Sequence, residues 1–210
     1  MHQNGKAAIT ISRDPDRTRR RILDAALAEF SAHGFAGARV DAIARRARGN
    51  KRMLYHYFGN KEELFTAVLR FKMAERRAWS AALPGDPSQR LPFWFDTACQ
   101  DPEWVRLLQW EALQNGAKRL IDEAERKAAS QDWLRRLTHR QRAGQLSSGY
   151  DARHIALAMQ SLTLFPAAFP QLVRLYTGQS VSDRKFRASY GKFLKELAAV
   201  FQPAKRAGKK

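Results

Sequence analysis

The feature that most constrains this chain is a helical repeat of apolar residues that runs, with short breaks, along most of its length. In the first such stretch Ile22, Leu23, Ala26, Leu27 and Phe30 fall on one face, the pattern of an α-helix packed along one side. No run alternates strictly at period two, so a β-sheet has no template here. The expected fold is all-α, and a hydrophobic share of 44% is ample for a packed core.

The breaks divide the helices. Gly34 follows the first run, where a helix stop favours a residue free to take positive φ, and Phe35 can fold back on the helix end. A short second helix is expected over Val40–Ala47, then a tight break at Arg48-Gly49-Asn50, in which Gly49 supplies backbone freedom and Asn50 the N-cap. A third helix covers Lys51–Phe58, with Leu54 and Phe58 four apart facing inward. A fourth starts near Lys61 and runs toward Trp79, its Asn60 and Glu63 resembling a capping box.

Leu83-Pro84-Gly85-Asp86-Pro87-Ser88 is the clearest loop. Beyond it, Asp101-Pro102-Glu103 is a helix start, with cap, first-turn proline and an acid near the positive helix end, for a helix to about Gln114. Further helices are expected over Lys118–Arg142, from Asp151 to Phe165 ahead of Pro166 and Pro170, and from Ser182-Asp183 to Phe201 before Pro203. The resulting division is a flexible basic arm (1–16), a head of three short helices (17–62) with a linking helix to about residue 80, a larger helical body (81–202) and a basic tail (203–210).

The formal charge is +18, which implies a polyanionic partner, either nucleic acid or an anionic surface. Ten cations between Arg17 and Arg52 place that charge on the head: Arg17, Arg19, Arg20, Arg21, Arg39, Arg45, Arg46, Arg48, Lys51 and Arg52. Arg45 and Arg46 suit surface ion pairs as well as DNA, and the tail suits solvation as well as a DNA contact.

Two short helices joined by a tight turn within a three-helix core form a DNA-reading unit, because the major groove admits one α-helix held from behind by another. Here the helix for the groove is Lys51–Tyr57, anchored by Leu54 and Phe58, with Lys51, Arg52, Met53, Tyr55, His56 and Tyr57 outward. Lys51 and Arg52 suit guanine O6 and N7 or phosphate, the Tyr55 and Tyr57 hydroxyls suit phosphate, and Met53 suits a thymine methyl. Arg39 and Arg48 flank this helix. Each also has a plainer role: the Tyr57 ring as core, His56 as solvated surface, Lys61 as a cap.

Residues Arg17–Leu69 resemble the DNA-binding domain of the TetR (tetracycline-repressor-like) family. The matching stretches are R-x-x-I-L-D-A-A-x-x-x-F-x-x-x-G-F (Arg19–Phe35), V-D-A-I-A-R-R-A (Val40–Ala47) and L-Y-H-Y-F-G-N-K-E-E-L-F (Leu54–Phe65). The resemblance implies a homodimeric regulator on a palindromic operator, usually a repressor released by a small ligand. It also implies that Tyr55 and Lys61 contact phosphates while residues from Lys51 to His56 read bases. Three positions depart from the family: Ala38-Arg39 where Ser or Thr usually caps the second helix, Arg48-Gly49 in place of Gly-Val, and Met53 in place of a common Thr.

In the body, the helices before and after Thr177-Gly178 fit the family's dimerising pair, with Leu157, Leu162, Leu164, Phe186, Phe193, Leu194 and Leu197 expected at the seam or, alternatively, in the subunit's own core. Trp104, Leu108, Trp110, Met159, Phe165 and Phe169 are candidates to line a pocket for a small apolar or aromatic ligand, or are plain core.

An enzyme finds no support: G-x-S-x-G, HExxH and a phosphate-binding glycine loop are missing, and no two of the five histidines stand at metal-ligand spacing. No cofactor is expected. The single Cys99 reads as a small buried hydrophobe and suits a reducing cytoplasm. No window of roughly 18 apolar residues offers a membrane span, and Met1–Arg13 lacks the pattern of a signal peptide, so a soluble cytoplasmic protein is expected. A sequence-neutral, chromatin-like DNA binder is the nearest rival reading, with a membrane-surface binder behind it.

Overall fold

The computed structural model describes residues 14–115 and 120–202. Most of the expected arm and all of the expected tail lie outside the described residues. Within them the chain is all-α, as expected, and contains no strand.

Helix α1 (Pro15–Gly37) begins two residues before Arg17. Asp14 caps it, accepting from the Asp16 and Arg17 amides at 3.0 and 3.2 Å. Pro15, expected to break the arm, opens the helix instead, because its missing N–H would have had no intrahelical partner. Gly34 takes φ 68° and kinks the helix end. Helices α2 (Val40–Arg46), α3 (Lys51–Phe58) and α4 (Lys61–Ala81) follow. Asn60 accepts from the Glu63 amide at 2.9 Å, and its own amide donates to the Glu63 carboxylate, a side-chain version of the capping box.

These four helices close over one core. Ile22, Ala26 and Phe30 of α1, Ile43 of α2, Leu54 of α3 and Val68 of α4 are at most 1% exposed. Trp104 and Leu107 of a body helix complete the same core.

The body holds α5 (Arg90–Gln100), α6 (Pro102–Asn115), α7 (Glu123–Arg142), α8 (Ala152–Ala168), α9 (Pro170–Thr177) and α10 (Arg184–Leu197). Helix α5 is not among the expected helices; its Pro92 sits in the first turn, where proline is tolerated. Helix α7 starts later than the expected Lys118. Helix α8 runs through Pro166 to Ala168 rather than ending at Phe165. A proline there deprives the Leu162 carbonyl of its helical donor, and the Tyr190 hydroxyl of α10 takes its place at 3.0 Å.

Two smaller cores fill the body. Leu91 and Phe95 of α5 meet Val173 of α9 and Phe186 and Leu194 of α10; Leu137 of α7 meets Leu146, Ile155 and Ala156. Cys99 packs beside the first of these, and burial pushes its thiol up to about 11, so it stays protonated. No single helix among the described residues is long and apolar enough to cross a membrane; α8 and α9 together have the length and composition but are bent by 88°.

Candidate nucleic-acid interface

Helix α3 is held from both ends and from behind. Asn50 caps it through the Met53 amide at 2.8 Å, while Leu54 and Phe58 are 1% and 6% exposed and turn its back into the core. The Arg19 guanidinium covers the Phe58 ring at 4.7 Å, so α1 braces the same anchor. What remains outward is Lys51, Arg52, Tyr55 and His56.

Lys51 reaches across the turn to Asp41 of α2 at 2.9 Å, and this partner raises its pKa. That pair fastens the first turn of α3 to α2. Arg52 makes no ion pair among the described residues, which leaves its fork of donors open to a ligand. Tyr57 is half-buried, its ring against the core and edge-on to His56 at 5.5 Å.

The turn between α2 and α3 differs from the expectation. Arg48, not Gly49, takes the left-handed conformation, with φ 52°. Gly49 leaves room for the Met53 side chain: a Cβ there would lie 1.8 Å from the Met53 methyl, and that flexible end would have to swing away. Met53 is half-buried over the turn and touches the head core, which draws it inward from the outward position expected of it. Gly49 and Met53 are thus a matched pair, and they replace the family's usual turn at both departing positions together.

The missing cap of α2 also has an explanation. Arg39 gives no side-chain cap, as its type predicts. Instead Glu29, only 8% exposed, accepts from the Arg39 amide at 3.1 Å and pins the entry to α2 from α1. The sequence carries one sign of this role for Glu29: an acid at i+7 from Ile22, on the inward face of α1. The Arg39 side chain itself is exposed. Lys61 is half-buried, with Nζ 3.4 Å from the Ala36 carbonyl and 5.0 Å from the Phe35 ring centroid.

Helix α6 braces the head from the body side. The Trp110 indole donates to the Ser31 carbonyl at 3.1 Å and lies so close to Gly34 that a Cβ there would be 2.8 Å from its ring. The Gln114 amide oxygen accepts from the Phe35 and Ala36 amides at 3.2 Å. Helix α4 is tied to the body by a two-bond pair from Arg70 to Asp122, 2.8 and 2.9 Å, and by Arg77 to Glu125 at 2.6 Å. Glu111 of α6 in turn holds Arg126 at 2.7 Å. These long-range partners leave no periodic mark in the sequence.

The six residues expected around a ligand are distributed over several places rather than one hollow. Trp104 and Leu108 join the head core, Trp110 faces Gly34, and Met159 lies between the two body cores. Phe165 and Phe169 pack on each other at 5.1 Å and are 45% and 40% exposed. Of the expected seam, Phe186 and Leu194 are buried within their own subunit because that side of α10 faces α5. Leu162, Leu164 and Leu197 are half-buried, whereas Leu157 and Phe193 are 66% and 47% exposed.

A recognition-type helix presented by a compact head on an all-helical body defines a DNA-binding transcriptional regulator. Residues 22–68 match the family model for bacterial regulatory proteins of the tetR family, and residues 92–196 match the tetracyclin repressor-like C-terminal domain. The HTH-type transcriptional repressor SCO4008 of Streptomyces coelicolor is 36% identical over 171 residues, 80% of this chain and 87% of that protein. The HTH-type transcriptional repressor NicS of Pseudomonas putida is 32% identical over 87% of this chain and 91% of its own. A crystal structure of the transcriptional regulator SCO4942 of Streptomyces coelicolor superposes with a TM-score of 0.70 at 29% identity, covering 86% of this chain and 97% of that one. The chain belongs to the TetR family, a family of transcriptional regulators rather than enzymes.

Proposed function

We propose that this regulator is a homodimeric repressor that binds a palindromic operator and is released by a small-molecule ligand. The observation that carries the DNA half is the exposed row Lys51, Arg52, Tyr55 and His56 on a helix whose back is fully anchored. Arg52 and Lys51 donate to guanine or phosphate, Tyr55, Tyr57 and Lys61 to phosphate, and Arg39 and Arg48 to the flanking backbone. His56 reads a base edge, and Met53 acts mainly by shaping the turn.

The dimer is supported by the apolar side of α8 and α10 left outward, with Leu157, Phe165 and Phe193 exposed and Leu164 and Leu197 beside them. Two copies joined there would set their recognition helices about 34–36 Å apart, one turn of DNA, or a multiple of it. For the ligand, a structural neighbour of the same fold, the transcriptional regulator FadR of Bacillus subtilis, was solved in complex with stearoyl-CoA. On this proposal the regulator of this chain acts in the cytoplasm, where operator and ligand meet.

Selection of bound duplexes from a random pool at fixed, near-physiological salt tests this reading, since phosphate contacts alone give affinity that falls steeply with salt. An inverted repeat is the expected product. Tight binding with no consensus would replace it by the sequence-neutral reading.

A further inference from the structure

At the junction of α4, α5 and α6 an arginine stands inside a box of tryptophans. The Arg76 guanidinium carbon lies 5.8, 5.4 and 5.3 Å from the ring centroids of Trp79, Trp94 and Trp104. These are three of the five tryptophans in the chain. Arg76 makes no ion pair among the described residues, and its Nη1 is buried without a hydrogen-bond partner. Burial lowers its pKa, and the nearby Asp101 works the other way.

Asp101 is only 5% exposed, and it is half-used. One oxygen accepts from Lys72 at 2.9 Å and from the Trp104 amide at 3.2 Å, while Oδ2 is buried with no partner. A strut arginine would spend its donors on a carboxylate; here a buried donor among the tryptophans and a buried acceptor on the nearby Asp101 both stand unmatched. Buried polar groups left in that state call for a specific explanation, and functional sites are where they are tolerated.

We infer that the Trp79–Trp94–Trp104 box is a binding site for an organic cation with a flat apolar body and an N–H donor, an amidinium, guanidinium or protonated amine, whose place Arg76 fills in the unliganded protein. The tryptophan faces supply the attraction for a cation, and Asp101 Oδ2 supplies the acceptor for its N–H. Charge stays balanced on exchange, because one cation leaves as another enters beside Lys72, Asp101 and Glu75. The exchange reports to DNA through Arg76 itself, which sits on α4, the helix that runs unbroken into the head. This inference rests on the ligand-released reading above and names the ligand's chemical class.

Benzamidine is the probe, with neutral benzamide of the same shape as control, read by calorimetry and by tryptophan fluorescence on the full chain. Benzamidine is expected to bind saturably, one per chain, and benzamide about tenfold more weakly or worse. Arg76→Ala, which empties the box beforehand, tightens benzamidine by about tenfold; Asp101→Asn weakens it by about tenfold. If Asp101→Asn fails to fold, Trp94→Leu removes one wall with the Lys72–Asp101 pair intact, and the same loss is expected. Absence of binding to both wild type and Arg76→Ala, or equal affinity for the two, overturns the inference. Recovery of an inverted repeat with no benzamidine binding sinks the cation site alone. Failure to recover one sinks the repressor reading, while calorimetry still decides the box.

Discussion

The head and the α8–α10 end of the body both carry rows of large apolar side chains and do opposite things with them. In α1 the inward row Ile22, Ala26 and Phe30 is fully buried, and the neighbouring helices of the same chain do the covering. In α8 and α10, Leu157, Phe165 and Phe193 are 66%, 45% and 47% exposed. A row of large apolar side chains is costly to leave in water, so the difference separates a core that one chain closes by itself from a face that the proposed dimer would cover.

The comparison can be broken most forcefully at its two poles. Phe30→Ala is expected to cost about 3–5 kcal/mol of unfolding free energy, whatever the protein concentration, because it opens a cavity in a closed core. Phe193→Glu should instead abolish dimerisation with helix content kept, seen as a monomer by sedimentation. A Phe193→Glu dimer would put the subunit contact elsewhere.

Gly34→Ala comes next. It forces a side chain onto a left-handed backbone and into Trp110, and a loss of about 2 kcal/mol or more in a denaturant titration is expected. Equal stability would mean that α6 yields there and does not brace the head. Arg52→Ala should weaken operator binding by roughly 1–3 kcal/mol and leave the denaturation midpoint unmoved, which separates reading from folding within the head.

The smallest effect is expected at the Arg70–Asp122 pair. Arg70 holds the Asp122 carboxyl below the usual carboxylate range. A depressed folded pKa adds stability above the unfolded value near about 4 and loses it as pH falls through the folded one. Wild type should therefore lose slightly more stability than Asp122→Asn on acidification, and added salt should shrink the gap. Identical acid profiles would remove this pair from the ties between α4 and the body.

How far the sequence could be read follows the same divide. Helices α1 to α4 were legible because their periodicity, caps and breaks agree, and Lys51, Arg52, Tyr55 and His56 lie outward as their spacing required. Helix α5 was not, since no side chain caps its start at Gln89. Phe186 and Leu194 looked like seam because a residue facing its own subunit and one facing a second copy share the same 3.6 period. Met53 was drawn inward by a contact with Gly49, and Trp110 and Gln114 brace the head across a long span of chain. Neither kind of contact leaves a local pattern.

Trp104 and Leu107 belong by sequence to the body and by packing to the head. That sets a rule for chimeras. A splice after α4 that transplants residues 14–82 onto a foreign sensor would carry the recognition helix but strip two side chains from its core and the indole that holds Ser31. A working transplant must either bring α6 along or rebuild its inner face on the recipient.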